Sequence, residues 1–147
     1  MKIRWTKPIS VEKLLEQGGK CGEFLPEKTG IYRFQVVPVN KVLPGEVVYI
    51  GKVGGGPGDG RHIRRRIGEF IGAALGFGIT HSGGIRFWED GNKHKLWVQD
   101  LEVCFYPTDD PACAEMVAFQ EFREKTGREL PRMNKRLPSK KCSAHGG

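Results

Sequence analysis

Two tyrosines stand in matching surroundings, Gly30-Ile31-Tyr32 and Tyr49-Ile50-Gly51. Each phenol is two positions from a glycine, in a stretch rich in β-branched and aromatic residues. Glycine at a strand end weakens the strand and marks the close approach of another group. Two ordinary strand tyrosines would give the same letters, so the remaining residues decide. Glu115 is followed by Ala118, Phe119 and Phe122, three, four and seven positions on. That spacing sets a carboxylate on the apolar face of a helix. A carboxylate turned toward a core is costly unless it is paired, hydrogen-bonded or bound to metal. The bland alternative is that Glu115 complements the dipole of the first helical turn. Glu121 and Glu124, with Gln120, fall on the opposite, polar side.

Arg61, Arg64, Arg65 and Arg66 form a cationic cluster. On a helical wheel Arg65 points away from the apolar stripe, whereas Arg66 borders it beside Phe70, with His62 one turn back on the same flank. Arg66 is therefore the one placed to reach inward. The others need no role beyond attracting a phosphate backbone. Other chemistries fail on spacing. Gly51-Lys52 is followed by Val53 where a Walker loop needs Ser or Thr, and no Gly-x-Gly-x-x-Gly follows a strand in phase. The four cysteines (Cys21, Cys104, Cys113, Cys142) contain no CxxC pair, and the four histidines (His62, His81, His94, His145) lack zinc-finger spacing.

Several elements must position these groups. Ser10 caps a short helix with Val11, Leu14 and Leu15 inward, stopped at Gly18-Gly19. Gly30 to Val37 and Glu46 to Val53 read as a hairpin turned at Pro44-Gly45. Five glycines between Gly54 and Gly60 form a loop. Ile63, Ile67, Phe70, Ile71 and Ala74 then make an amphipathic helix. Ile85 to Trp88 and Lys95 to Tyr106 read as two further strands joined at Asp90-Gly91-Asn92. A last helix runs from Pro111 to Thr126 and stops at Gly127. Trp88, Trp97, Phe87 and Phe105 are expected in the core. Asp109 and Asp110 read as a helix cap, and His81-Ser-Gly-Gly84 as an irregular loop that touches DNA or a metal, or is a plain loop.

The expected fold class is α+β, a small single domain with a central, mainly antiparallel sheet flanked by helices. Residues 1–24 form an accessory N-terminal helical segment, 25–136 the domain, and 137–147 a basic mobile tail. The chain has 147 residues, 38% hydrophobic and 28% charged, with 24 Lys+Arg against 17 Asp+Glu and a net charge of +7. This describes a globular chain, not a disordered or fibrous one. No apolar run approaches the ~20 residues of a membrane span. Residues 1–8 lack the apolar stretch of a signal peptide, so the expected location is the cytoplasm, with reduced, mostly buried thiols. A pI near 9.4 favours a polyanionic partner, nucleic acid before membrane.

Taken in order, Gly30-Ile31-Tyr32, Tyr49-Ile50-Gly51 with Lys52 behind it, Arg66-Ile-Gly-Glu-Phe70, the Ala114-Glu115 helix and Leu130-Pro131-Arg132-Met133-Asn134 resemble the GIY-YIG nuclease family. Both name-giving triplets are intact, and the resemblance covers roughly Gly30 to Asn134. It implies metal-dependent hydrolysis of a DNA phosphodiester by an endonuclease. Glu115 would be the sole protein ligand of one Mg²⁺ or Mn²⁺, with Glu121 as rival. Tyr32 would serve as general base or relay, although an ordinary phenol of pKa ~10 is too protonated to act unaided. Tyr49 would orient the water or the scissile phosphate. Arg66 would bind the phosphate, with Arg61, Arg64 or Arg65 as alternative counterparts. Asn134 would hold the glutamate helix and the site together, and Lys52 and His62 would assist in proton transfer or phosphate contact. Arg61, Arg64, Arg65, Lys135 and Arg136 would follow the DNA backbone, as would the acid-free run on to Lys140 and Lys141, unless that run is a solvated tail. A homodimer or a larger repair or restriction assembly fits the family. The alternative is a catalytically inactive nucleic-acid-binding module on the same scaffold.

Overall fold

The structure, a computed structural model, describes residues 1–17, 24–54 and 60–138. The glycine stop of the first helix, most of the glycine loop and the end of the basic tail lie outside the described residues. The fold is α+β. Strands β1 (Ile9–Ser10), β2 (Gly30–Val36), β3 (Val47–Val53) and β4 (Leu101–Pro107) form one antiparallel sheet in the order β1-β4-β2-β3. Helices α1 (Val11–Glu16), α2 (Ile63–Ala74), α3 (Ser82–Asp90) and α4 (Pro111–Thr126) surround it.

Alternation along the strands sorts side chains between two cores. Tyr32, Phe34, Val36 and Tyr49 face Ile63, Ile67 and Phe70 of α2 and Phe87 of α3. Ile31 and Ile50 face Ala114, Ala118, Phe119 and Phe122 of α4. In the hairpin Tyr32 lies opposite Gly51, and Phe34 opposite Tyr49. The two phenols are thus diagonal neighbours on one face. A bulge follows, where the register slips between Phe34 and Gln35 and the pairing passes from Tyr49 to Val47.

The hairpin and the helices α2 and α4 stand where their patterns place them. Ser10 caps α1 by accepting from Lys13 N–H, and Asp110 caps α4 by accepting from Cys113 N–H. Four expectations are corrected. Ile85 to Trp88 is not a strand but lies within α3, because His81 caps the segment and its apolar side packs on α2; β-like composition yields to that context. The strand expected from Lys95 begins only at Leu101, after 3₁₀ turns at Gly91–His94 and Val98–Asp100, the latter closed by Trp97 N–H donating to the Asp100 carboxylate. Leu15 is 37% exposed, and Trp88 and Trp97 are 59% and 68% exposed, whereas Phe87 and Phe105 are buried as expected. Cys104 is a buried free thiol, but Cys113 is disulfide-bonded.

The outer side of β3 is covered. Met133 N–H donates to Val48 O at 2.9 Å. The Asn134 amide both accepts from Ile50 N–H at 3.0 Å and donates to Ile50 O at 2.8 Å. Residues 131–134 therefore act as a strap, fastened further by Arg128 and Arg132, which both pair with Glu46 in the β2–β3 turn. No helix among the described residues is long and apolar enough to cross a membrane.

Candidate active site

Close packing brings the phenols together. Tyr32 is fully buried and Tyr49 is 9% exposed, with ring centroids 6.0 Å apart. A Cβ on Gly51 would sit 2.6 Å from the Tyr32 hydroxyl, and one on Gly83 would overlap the Tyr49 ring. Only residues without a side chain fit beneath and above this pair. His81, the N-cap of α3, completes the group, since the Tyr32 hydroxyl lies 2.7 Å from its Nε2. Its ring also meets Tyr49 and Phe70 edge-on.

The direction of these hydrogen bonds can be derived. Burial first, then the Arg66 charge, pulls His81 down to about 3, so the imidazole is neutral. Its Nδ1 accepts from Gly84 N–H at 3.2 Å. The single ring proton is then on Nε2 and donates to the Tyr32 oxygen. Burial, followed by the neighbouring Tyr49, raises Tyr32 well above the ordinary phenol value, while Arg66 opposes this. Burial also raises Tyr49, but Arg66 and hydrogen bonds from Tyr32 and Ser82 lower it. Donation from His81 to the Tyr32 oxygen leaves the Tyr32 proton free to turn toward the neighbouring Tyr49, which borders an open cleft.

That cleft has a volume of about 510 Å³ and is lined by Tyr49, Lys52, Ser82 and Glu115, with Asn134, Lys135 and Arg136 at its rim. Glu115 is 9% exposed, on the face of α4 where its spacing places it. Burial pushes its carboxyl up to about 7, with Lys52 pulling the other way. Arg66 is mostly buried, pairs with Glu69 at 3.2 Å, and its charge acts on both phenols and on His81. Asn134 joins the strap to Ile50, between Tyr49 and Gly51, and so holds β3 rather than α4.

Other expected residues stand elsewhere. His62 caps α2, accepting from Arg65 N–H at 3.2 Å. Arg64 donates to Leu25 O and pairs with Glu27. Ile63 N–H and Arg64 N–H are taken by Lys28 O and Pro26 O, which leaves the start of α2 no spare donors for a phosphate. Arg61 acts electrostatically on His81, and Arg65 is exposed. Glu121 accepts from Ile3 N–H and lines a different cavity, beside Trp5 and Arg33.

Among the described residues no group of three or more His, Cys, Asp or Glu is arranged to hold a metal. The donor set of the cleft is the one carboxylate of Glu115. That suits a hard cation which keeps most of its waters and takes further oxygens from a substrate phosphate, as Mg²⁺ does. It does not suit zinc. Glu115 also gains from a cation, since burial is the main cause of its raised value. Compared with known proteins, the chain matches no family model, no curated protein and no solved structure.

Proposed function

We propose that this chain is a metal-dependent DNA endonuclease that hydrolyses phosphodiester bonds in the Glu115–Tyr49 cleft. One observation carries the reading: the buried Glu115 carboxylate and the Tyr49 phenol line one cleft with Lys52, Lys135 and Arg136, and behind Tyr49 stand Tyr32 and the charge of Arg66, which acts on both phenols from outside the cleft lining. That combination serves a reaction in which negative charge builds up on a phosphate and water must be deprotonated.

Glu115 would hold the divalent cation, Mg²⁺ or Mn²⁺, which when bound polarises a phosphoryl oxygen and stabilises the leaving 3′ oxygen. Tyr49 is the phenol that meets the cleft, where it would orient the attacking water; because burial raises it, taking a proton from that water would first require release of its own, a change that the Arg66 charge favours. Tyr32 stands behind it as donor, and His81 fixes the direction of that donation. Because its ring proton is already on Nε2, His81 is a positioning residue and not the base. Arg66 lowers both phenols and offsets charge on the phosphate, a task that suits its planar fork. Lys135 and Arg136 would hold the backbone on either side.

Nicking of supercoiled plasmid in Mg²⁺ or Mn²⁺ tests this. The parent is expected to nick, and Glu115→Gln, Arg66→Ala and Tyr49→Phe are each expected to lose on the order of 10²-fold or more in rate. A parent that binds DNA and leaves it intact under both metals would instead indicate the binding module.

A further inference from the structure

The exposed tryptophans point to a second contact with nucleic acid. Trp88, near the end of α3, and Trp97, before the second 3₁₀ turn, are 59% and 68% exposed. Together they wall a cavity of about 360 Å³ whose floor includes Phe87 and Leu96 and whose rim carries Gln99. The Trp88 indole is held in place: Gly76 has φ +83, and a Cβ there would lie 2.8 Å from the indole Cζ2. One edge of the ring is thus seated on the α2–α3 turn while most of the side chain remains open. Exposed Lys93, which pairs with Asp90 at 3.5 Å, and exposed Lys95 lie in the segment between the two indoles.

We infer that this cavity receives an unpaired base of the DNA substrate, stacked against Trp88 and Trp97. Flat apolar walls suit any base, because every base has a π-face. The Gln99 amide offers a donor and an acceptor to the edge of such a base. Lys95, and Lys93 once it exchanges Asp90 for a phosphate, meet the flanking backbone, which an apolar protein segment would not supply. Helix α3 ties this pocket to the cleft. Ser82 at its start lines the cleft, and Trp88 six positions later lines the pocket. The two side chains leave α3 about 9 Å apart along its axis, at 1.5 Å per residue, and about 120° apart around it. The inference rests on the nuclease reading for the identity of the polymer, and it adds the feature of DNA that is selected.

The test compares two short DNA duplexes, one fully paired and one with a single unpaired 2-aminopurine, titrated with protein in EDTA so that nothing is cut. The parent is expected to bind the second about tenfold tighter, with quenching of the 2-aminopurine emission. Trp88→Ala and Trp97→Ala are each expected to bring the affinity ratio close to one, and Trp88→Phe to keep most of it. Trp97 is the more exposed of the pair, so Trp97→Ala carries the test even if Trp88→Ala melts early. Equal affinities for the parent, or a ratio that survives in both alanine variants, overturn the inference. Plasmid nicking by a parent with no preference leaves the nuclease reading standing and removes the base pocket alone. Preference without nicking under either metal removes the nuclease and keeps the pocket. Failure to bind either duplex removes both.

Discussion

The Glu115 carboxyl, raised from an ordinary 4.5 to about 7, ties stability to pH. A raised carboxyl favours its neutral form in the folded chain, so the folded state loses stability as pH climbs from 4.5 toward 7, and no more is lost above that. The cost of holding the anion at alkaline pH is on the order of 3 kcal/mol, a figure that hydration from the cleft reduces. Without divalent cations, Glu115→Gln is therefore expected to raise the urea midpoint at pH 8 and to leave it nearly unchanged at pH 4.5. A midpoint at pH 8 equal to the parent's would show that the carboxylate is not strained. Metal binding reverses the balance, and affinity for Mn²⁺ should tighten as pH rises through about 7, because the cation displaces a proton. The inward lean of Arg66 and Glu115 is legible from a helical wheel, which depends only on position, whereas Tyr32 and Tyr49 stand out through the triplets that carry the family resemblance. His81 is legible from neither, because its part rests on one backbone N–H, that of Gly84, which fixes the tautomer.

At the scale of the element, α3 decides how much of the site could be foreseen. Ile85-Arg-Phe-Trp88 has strand composition, yet Ser82-Gly83-Gly84 lets the helix start against its neighbours. A Cβ on Gly84 would meet the Phe70 carbonyl and Ala73 of α2, and one on Gly83 the Tyr49 ring. A local pattern cannot report how near another element passes, and that distance is why these glycines are needed. The hairpin and α4 were legible because each carries its own stop signals, including Gly127 at φ +72. Gly83→Ala is expected to destabilise the fold by about 1–3 kcal/mol through overpacking and to slow nicking by moving Tyr49. Gly68, mid-α2, has nothing within 4 Å of its added Cβ. Gly68→Ala should therefore stabilise by about 0.5–1 kcal/mol. Thermal melts of both variants give the comparison, and destabilisation by both would mean that close approach is not the cause.

Across the whole molecule, distant parts of the chain are fastened around one strand. Glu46 in the β2–β3 turn pairs with Arg128 and Arg132, the latter carrying side-chain exposure of only 31%. These pairs keep Asn134 on Ile50 and so hold Tyr49 in register. Glu46→Gln is expected to cost about 1 kcal/mol at low salt and less in concentrated salt, where such pairs are screened. Hydrogen exchange at Ile50 N–H should quicken in the same variant, and unchanged exchange would separate the clamp from the strap. The net charge of +7 indicates what sort of partner to seek but not where it lies, since Arg61 to Arg66 serve partly as caps and internal pairs.

The strap has one more effect. Among the described residues, Met133 and Asn134 occupy the outer backbone groups of Val48 and Ile50 in β3, and β1 at the far border is only two residues long, so both flanks of the sheet are blunted. Strand extension by a second copy is thereby disfavoured along these strands, which shifts any pairing of subunits toward helix and loop side chains. Such pairing can be abolished by surface substitution while the sheet and its tyrosines stay untouched.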